Sequence, residues 1–208
     1  MAKIWDDVHR EKDWGRWPNE NIVRMVMKRY GGVPDRSAIR MLDIGCGSGA
    51  HGRFLVEEGF HVDAIDGSER AVVKTIAMLN RASAPSSRWS VIVSDLMCPT
   101  IHWDAGRFDC ALDICTMQCL SDSEYQSAVA GVAHSLKPGG VFISRHAASG
   151  VAPHHDAELP LYGRPADSLR QLLSPHFSRE NITFGLESVT LDAAEEPMWH
   201  HLIQAVKT

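Results

Sequence analysis

The sequence predicts an α/β domain built on a mostly parallel sheet with helices on both faces. Three observations predict it. Short apolar runs alternate with helical patterns along most of the chain, the first run empties into a glycine-rich turn, and two extended runs close the chain with only a short connection between them. Alternation of this kind implies right-handed crossovers between parallel strands, and a short connection implies an antiparallel pair. A length of 208 residues suits one compact domain, which buries about 70% of its unfolded surface without disulfide or metal support.

Taken in order, Asn19 caps a helix that runs to about Tyr30, with Ile22, Val23 and Val26 on its apolar face and Gly31-Gly32 as its stop. Ile39–Ile44 is a short apolar run ending in glycines, as a buried strand would be. A helix follows through Phe54 and Leu55 to Gly59, then a second strand at His61–Ile65. Ser68 caps the next helix, which carries Val72, Ile76 and Leu79. Trp89–Val93 and Phe108–Leu112 are the third and fourth strands. Ser121-Asp-Ser-Glu124 reads as a capping box opening a helix with apolar positions at Tyr125, Ala128, Val129, Val132, Ala133 and Leu136. Lys137-Pro-Gly-Gly140 stops that helix, and Val141–Ser144 is strand five. Pro165–Leu173 is helical, and Ile182–Leu191 with Trp199–Val206 form the closing pair.

In an open parallel sheet, ligands sit outside the carboxyl ends of the strands, so the residues there carry the functional argument. Strand one ends in Leu42-Asp-Ile-Gly-Cys-Gly-Ser-Gly-Ala50. Gly45, Gly47 and Gly49 let the backbone turn sharply and let a ligand lie against it, and Cys46 sits among them. The spacing also satisfies the tolerant dinucleotide-binding pattern, which keeps a nicotinamide-dependent reductase in view. Asp43 separates the two chemistries. A carboxylate repels a pyrophosphate bound at the next helix N-terminus, but it favours a ligand carrying an ammonium and a sulfonium, such as S-adenosylmethionine. The competing reading is that Asp43 only caps a turn. Asp66 ends strand two, before Gly67 and Ser68, where it could accept from both hydroxyls of a ribose in either kind of cofactor. Asp95 could accept from an adenine amino group with Leu96 packed on the ring, although a helix-capping Asp fits equally well there.

The series LDIGCGSG, AIDGS, SDL, FDCALDI and LKPGGVFIS, spanning residues 39–145, resembles the ordered motifs of the class I SAM-dependent methyltransferases, in particular bacterial members acting on small molecules. The resemblance implies a Rossmann-like sheet of seven strands with the antiparallel pair at its end. It also implies S-adenosyl-L-methionine as cofactor, with Gly45, Gly47 and Gly49 around the methionyl moiety, Asp66 on the ribose, and Asp95 with Leu96 at the adenine. The expected organisation is a single domain over 1–208. Residues 1–35 form an N-terminal lid segment and helix, 36–145 the cofactor-binding core, 146–164 an acceptor loop, and 165–208 the last helix and strand pair.

The departures from the family pattern bear on the acceptor. Strand four continues as Leu112-Asp-Ile-Cys-Thr-Met-Gln118, without the Pro-Pro-aromatic sequence of enzymes that methylate base amino groups. Cys98 precedes Pro99, the reverse of a cytosine C5 signature. The 21 basic and 26 acidic residues give a net charge of −5, which argues against a nucleic-acid or anionic-membrane partner. No stretch approaches the ~18 apolar residues of a membrane span. The charged N-terminus and five cysteines without a CxxC pair suggest a reduced, cytoplasmic protein with neither signal peptide nor metal site. Cys115 and Cys119 read as a buried thiol pair. The acceptor is expected to be a small molecule methylated on O or N, and the protein a monomer or homodimer.

Two unmatched segments complete the expected site. Three of the six tryptophans fall in the first 17 residues, so this stretch should cover something: Trp14 lies over the cofactor and Arg16 pairs with its carboxylate, or else the tryptophans seal the sheet edge. Arg145–Arg164 is long for a loop and holds His146, His154, His155, Asp156 and Tyr162. His146, just past strand five, is the candidate general base, with Tyr162 and Asp113 as substitutes.

Overall fold

The computed structural model describes residues 2–11, 15–96, 104–150, 160–190 and 197–208. Seven strands form one sheet: β1 (Arg40–Ile44), β2 (His61–Asp66), β3 (Trp89–Val93), β4 (Phe108–Ile114), β5 (Leu136–Ala147), β6 (Ile182–Val189) and β7 (Met198–Val206), in the order β3-β2-β1-β4-β5-β7-β6. The first five run parallel, and β7 lies antiparallel between β5 and β6. The order reverses at β1, so the carboxyl ends of β1, β2 and β4 meet at the switch point where open α/β sheets bind ligands.

The helices are α1 (Ala2–Glu11), α2 (Glu20–Tyr30), α3 (Ala50–Glu57), α4 (Glu69–Leu79), α5 (Asp122–Ser135) and α6 (Ala166–Leu173). Strand residues alternate between faces, which divides the core in two. Met41, Val62 and Ile143 pack under α2 and α3 with Ile22, Val26 and Leu55. Leu42, Ile44 and Phe142 pack under α5 and α6 with Tyr125, Val129 and Leu169. The caps are made by the expected residues: Asn19 Oδ1 accepts from Ile22 N at 3.1 Å, Ser68 Oγ accepts from Ala71 N at 3.2 Å, and Glu124 reaches back to the Ser121 N–H at 2.8 Å.

The N-terminal stretch, which shows no clean period, contains the helix α1, and this helix packs along α4. One expectation needs correction. Strand five is longer than its apolar core. β5 continues through Arg145, His146 and Ala147 because β7 pairs with it that far (Arg145↔Leu202, His146↔His201, Ala147↔His200). The irregular segment therefore begins after His146, not at it.

The turn after β1 is sterically committed. Gly45 has φ +66°, and a Cβ there would stand 1.9 Å from Thr116 Oγ1. Gly49 has φ +84°, and its Cβ would stand 2.9 Å from Thr75 Cα. Gly45→Ala should lower unfolding free energy by at least about 2 kcal/mol in urea titrations, combining the left-handed backbone cost with the clash. Adding Thr116→Gly should recover only the clash part, and full recovery would mean the backbone conformation costs nothing.

Candidate active site

Three aspartates end three adjacent strands, and each is tied to the turn that follows it. Asp43 of β1 is buried and accepts from the Gly52 N–H in the first turn of α3, while its Oδ2 has no hydrogen-bond partner. Burial, then the neighbouring Asp66 and Asp113 charges, push its carboxyl up to about 7. Asp66 of β2 accepts from Gly47 N through Oδ2 and from Ser68 N through Oδ1, both at 2.9 Å. One lone pair on each oxygen remains for a ligand hydroxyl. Asp113 of β4 is fully buried and held by three hydrogen bonds: Oδ1 accepts from Thr116 N (3.0 Å) and Met117 N (2.9 Å), and Oδ2 from Ser144 Oγ (2.7 Å). Burial raises it to about 6 against those three hydrogen bonds.

The glycine turn lies between these carboxylates. Cys46 N donates to Ile65 O at 2.9 Å, and Thr75 Oγ1 donates to Gly47 O at 2.9 Å, which binds the turn to β2 and α4. The Cys46 side chain faces the core beside Thr75, and burial pushes its thiol up. The expectation that Cys46 lines the cofactor therefore concerns its backbone alone. Gly67 has open space where a Cβ would sit. Asp95 is exposed at the end of β3, and Leu96 is half-buried against the core.

Several residues that no motif singled out complete the rim. From α1, the Asp6 carboxylate accepts from Ser68 Oγ and Arg70 N at the start of α4, and the buried His9 places its Cε1 3.8 Å from the Cβ position of Gly47. Ser48 Oγ donates to Gly15 O at 2.9 Å, and Asn19 N donates to His51 Nε2 at 3.0 Å. The N-terminal segment thus touches the glycine turn at Gly47 and Ser48. Arg16 stacks on exposed Trp17, 5.7 Å from the ring, at the surface. Trp14 lies outside the described residues, as do Cys98, His154, His155 and Asp156.

The acceptor side differs most from expectation. His146 is fully buried inside β5, not exposed past its end. Its Nδ1 donates to Ala147 O at 2.9 Å, and its Nε2 accepts from Arg164 Nη1 at 3.1 Å, since a guanidinium has only donors. Burial pushes the imidazole down to about 4. No lone pair is left on the imidazole to take a proton from an acceptor, and full burial behind three hydrogen bonds keeps Asp113 from reaching an acceptor as its base. Arg164 is the centre of this region. It bonds Asp122 Oδ1 and Leu120 O, lies 5.0 Å from the Tyr125 ring and 5.4 Å from the Tyr162 ring, and so ties the returning chain to the end of β5. Tyr162, 43% exposed, donates its N–H to Gln118 O at 2.8 Å and is the one expected catalytic side chain left open at this edge. Cys115 and Cys119 are thiols that burial raises to about 11 and 12. Among the described residues no group of His, Cys, Asp or Glu could hold a metal ion.

This arrangement accommodates a nucleoside with a cationic tail. Only glycine fits at two points of the turn, Gly67 leaves open space next to Asp66, and Asp43 offers an unpartnered carboxylate oxygen. Over residues 41–140 the chain matches the family model described as a methyltransferase domain. It is similar to the glycine N-methyltransferase of Oryctolagus cuniculus, at 27% identity over 122 residues covering 51% of this chain and 40% of that protein. Its fold is similar to that of a structure titled for the conversion of a disulfide bond into a thioacetal group during echinomycin biosynthesis (TM-score 0.73, 19% identity, covering 100% of this chain and 92% of the other). It is also similar to that of the Burkholderia thailandensis 1,6-didemethyltoxoflavin-N1-methyltransferase with bound 1,6-didemethyltoxoflavin and S-adenosylhomocysteine (TM-score 0.62, 20% identity, covering 90% and 83%). The chain spans less than half the length of the glycine N-methyltransferase it matches.

Two measurements check this geometry. A carboxyl raised in the folded state binds protons that the unfolded state releases, so the Asp43 contribution lowers stability as pH rises from about 4 through about 7. Asp43→Asn should therefore leave the ligand-free protein unchanged near pH 3 and stabilise it increasingly above pH 4, by roughly 4 kcal/mol at pH 8. It should also remove a preference for S-adenosylmethionine over its neutral thioether product that grows over the same pH range. His146→Ala should destabilise by about 2–4 kcal/mol, through the cavity beside Tyr125 and the lost acceptor for Arg164. A His146→Ala protein as stable as the parent would return the imidazole to the acceptor edge.

Proposed function

We propose that this chain is a SAM-dependent methyltransferase that transfers a methyl group to an oxygen or nitrogen of a small-molecule acceptor. The observation that carries the reading is Asp43, a buried carboxylate with an unpartnered oxygen beside the glycine turn. Such a charge is stabilised by a cationic ligand and repels a pyrophosphate, which disfavours a nicotinamide cofactor on the same sheet. When bound, S-adenosylmethionine supplies a methyl already activated on a sulfonium, so the protein's work is alignment and exclusion of water.

Asp66 holds the ribose, with Gly47 N–H and Ser68 N–H keeping its carboxylate oriented. Asp43 balances the positive end, and Asp95 with Leu96 receives the adenine. Residues from the N-terminus through Trp17 act as a lid, with α1 docked on Ser68 and Gly15 on Ser48. On the acceptor side Tyr162 orients the nucleophile. With His146 saturated and Asp113 fully buried, the reading favours acceptors that need no strong base, deprotonated or neutral at the working pH. The net charge of −5 favours a small acceptor over a nucleic acid, and among the described residues no helix is long and apolar enough to cross a membrane.

Calorimetry with S-adenosylhomocysteine and with NADH and NADPH tests the class. The expected result is heat with the first alone, and binding of a nicotinamide nucleotide instead would replace the reading with a reductase. Asp66→Ala should weaken S-adenosylhomocysteine by about 1–3 kcal/mol, as two hydroxyls lose a charged acceptor. Unchanged affinity would remove Asp66 from the site.

A further inference from the structure

Arg145 of β5 enters into none of the roles above, and its surroundings are unusual. Its guanidinium is held on three sides: Nε donates to Glu187 Oε1 of β6, Nη1 to Cys115 Sγ at 2.8 Å, and Nη2 to His200 Nδ1 of β7 at 3.1 Å. Glu187 is itself fixed by Asn21 Nδ2 (2.6 Å) and Asn19 Nδ2 (3.3 Å), at the root of the N-terminal segment. A guanidinium carries five N–H donors, and three are used. One proton on Nη1 and one on Nη2 have no hydrogen-bond partner among the described residues, and the side chain keeps 12% of its surface open. A planar pair of donors on adjacent nitrogens matches the two oxygens of a carboxylate.

The position is next to the chemistry. Cys115 follows β4 and is the one described non-glycine residue with positive φ (+64°), a conformation that persists where the surroundings over-determine it. Arg145 does so twice, through its carbonyl, which accepts from Cys115 N at 2.9 Å, and through Nη1 on the thiol. The next residue, Thr116, is the one packed against Gly45 of the glycine turn. The local field is positive in spite of Glu187: after burial, the Arg145 charge is the chief cause pushing His51 and His200 down to about 4.

We propose that the Arg145 guanidinium, held by Glu187, Cys115 and His200, is a carboxylate-recognition point at the junction of the cofactor groove and the acceptor edge, with Glu187 as its positioning residue. This rests on the methyltransferase reading. The carboxylate is that of the cofactor's methionyl group or one carried by the acceptor, and the recognising chemistry is the same for both. Lys keeps the charge of Arg145 but not the planar fork, so Arg145→Lys separates shape from charge.

Calorimetry uses three probes on the full chain: S-adenosylhomocysteine, 5′-methylthioadenosine, which lacks the amino-acid part, and acetate against acetamide on protein saturated with S-adenosylhomocysteine. If the cofactor's carboxylate is the ligand, Arg145→Lys weakens S-adenosylhomocysteine roughly 10- to 100-fold and leaves 5′-methylthioadenosine unchanged. If the acceptor's is, S-adenosylhomocysteine affinity holds, and the parent's preference for acetate over acetamide disappears in the variant. Glu187→Gln, which keeps Arg145 but loosens it, should show the same ligand selectivity at several-fold size, and it carries the test if Arg145→Lys does not fold. Variants that bind all probes like the parent overturn the proposal. A parent that binds neither S-adenosylhomocysteine nor 5′-methylthioadenosine overturns the methyltransferase reading instead.

Discussion

The structure depends on how it accommodates three carboxylates at the ends of three neighbouring strands. β2, β1 and β4 are adjacent and parallel, so Asp66, Asp43 and Asp113 converge on one edge of the sheet. Bringing like charges together in a poorly solvated place is costly, and backbone N–H groups of the following turns offset the cost. Gly52 serves Asp43, Gly47 and Ser68 serve Asp66, and Thr116 and Met117 serve Asp113. The carboxylates in this way determine the course of the chain after each strand. The turn after β1 is drawn under Asp66, and the turn after β4 is wound around Asp113 tightly enough to bring Thr116 against Gly45.

A second set of buried polar groups organises the opposite half of the edge. Arg164 sits in the interior with its donors spread over Asp122, Leu120 O, Tyr162 O and His146, and with aromatic rings on two sides. Removing any acceptor leaves part of a buried cation unpaired, which costs more than an ordinary hydrogen bond. His146 belongs to this arrangement. Its lowered basicity follows from burial first and is reinforced by the Arg164 charge, and both follow from its place opposite His201 in the sheet.

The strand–helix order and the glycine turn were legible in the sequence because local patterns encode them: apolar runs of strand length, caps at Asn19 and Ser68, and positive-φ positions occupied by glycine. Asp43 and Asp66 were legible for the same reason, since their spacing from the glycines is local. His146 was misjudged because β5 extends past its apolar stretch only through pairing with β7, a strand more than fifty residues away. α1 was missed because a ten-residue helix is marginal by itself, and its stability comes from docking on α4. Arg145, Glu187 and Arg164 were beyond reach of spacing arguments altogether. Glu187 meets Asn21 across 166 positions, and nothing local marks either one.

Burial of Asp43 also bears on the direction of ligand exchange. A carboxyl raised to about 7 is about half protonated in the ligand-free protein at neutral pH and mostly protonated below it, so the empty edge carries less negative charge than its composition suggests. A cationic ligand draws the proton off. At an effective dielectric of about 20, one charge some 6 Å away is worth about 3 kcal/mol, comparable with the cost of ionising the group. In the proposed reaction the bound cation becomes a neutral thioether, and Asp43 is then a buried anion without its counter-charge. It must regain a proton or the product must leave, and either step resets the edge for another cation. A fully solvated aspartate at the same position would attract the donor less and would be indifferent to the change of charge. The unpartnered Oδ2, which lowers the stability of the empty fold above pH 7, is in this sense the feature by which the site distinguishes what it consumes from what it releases.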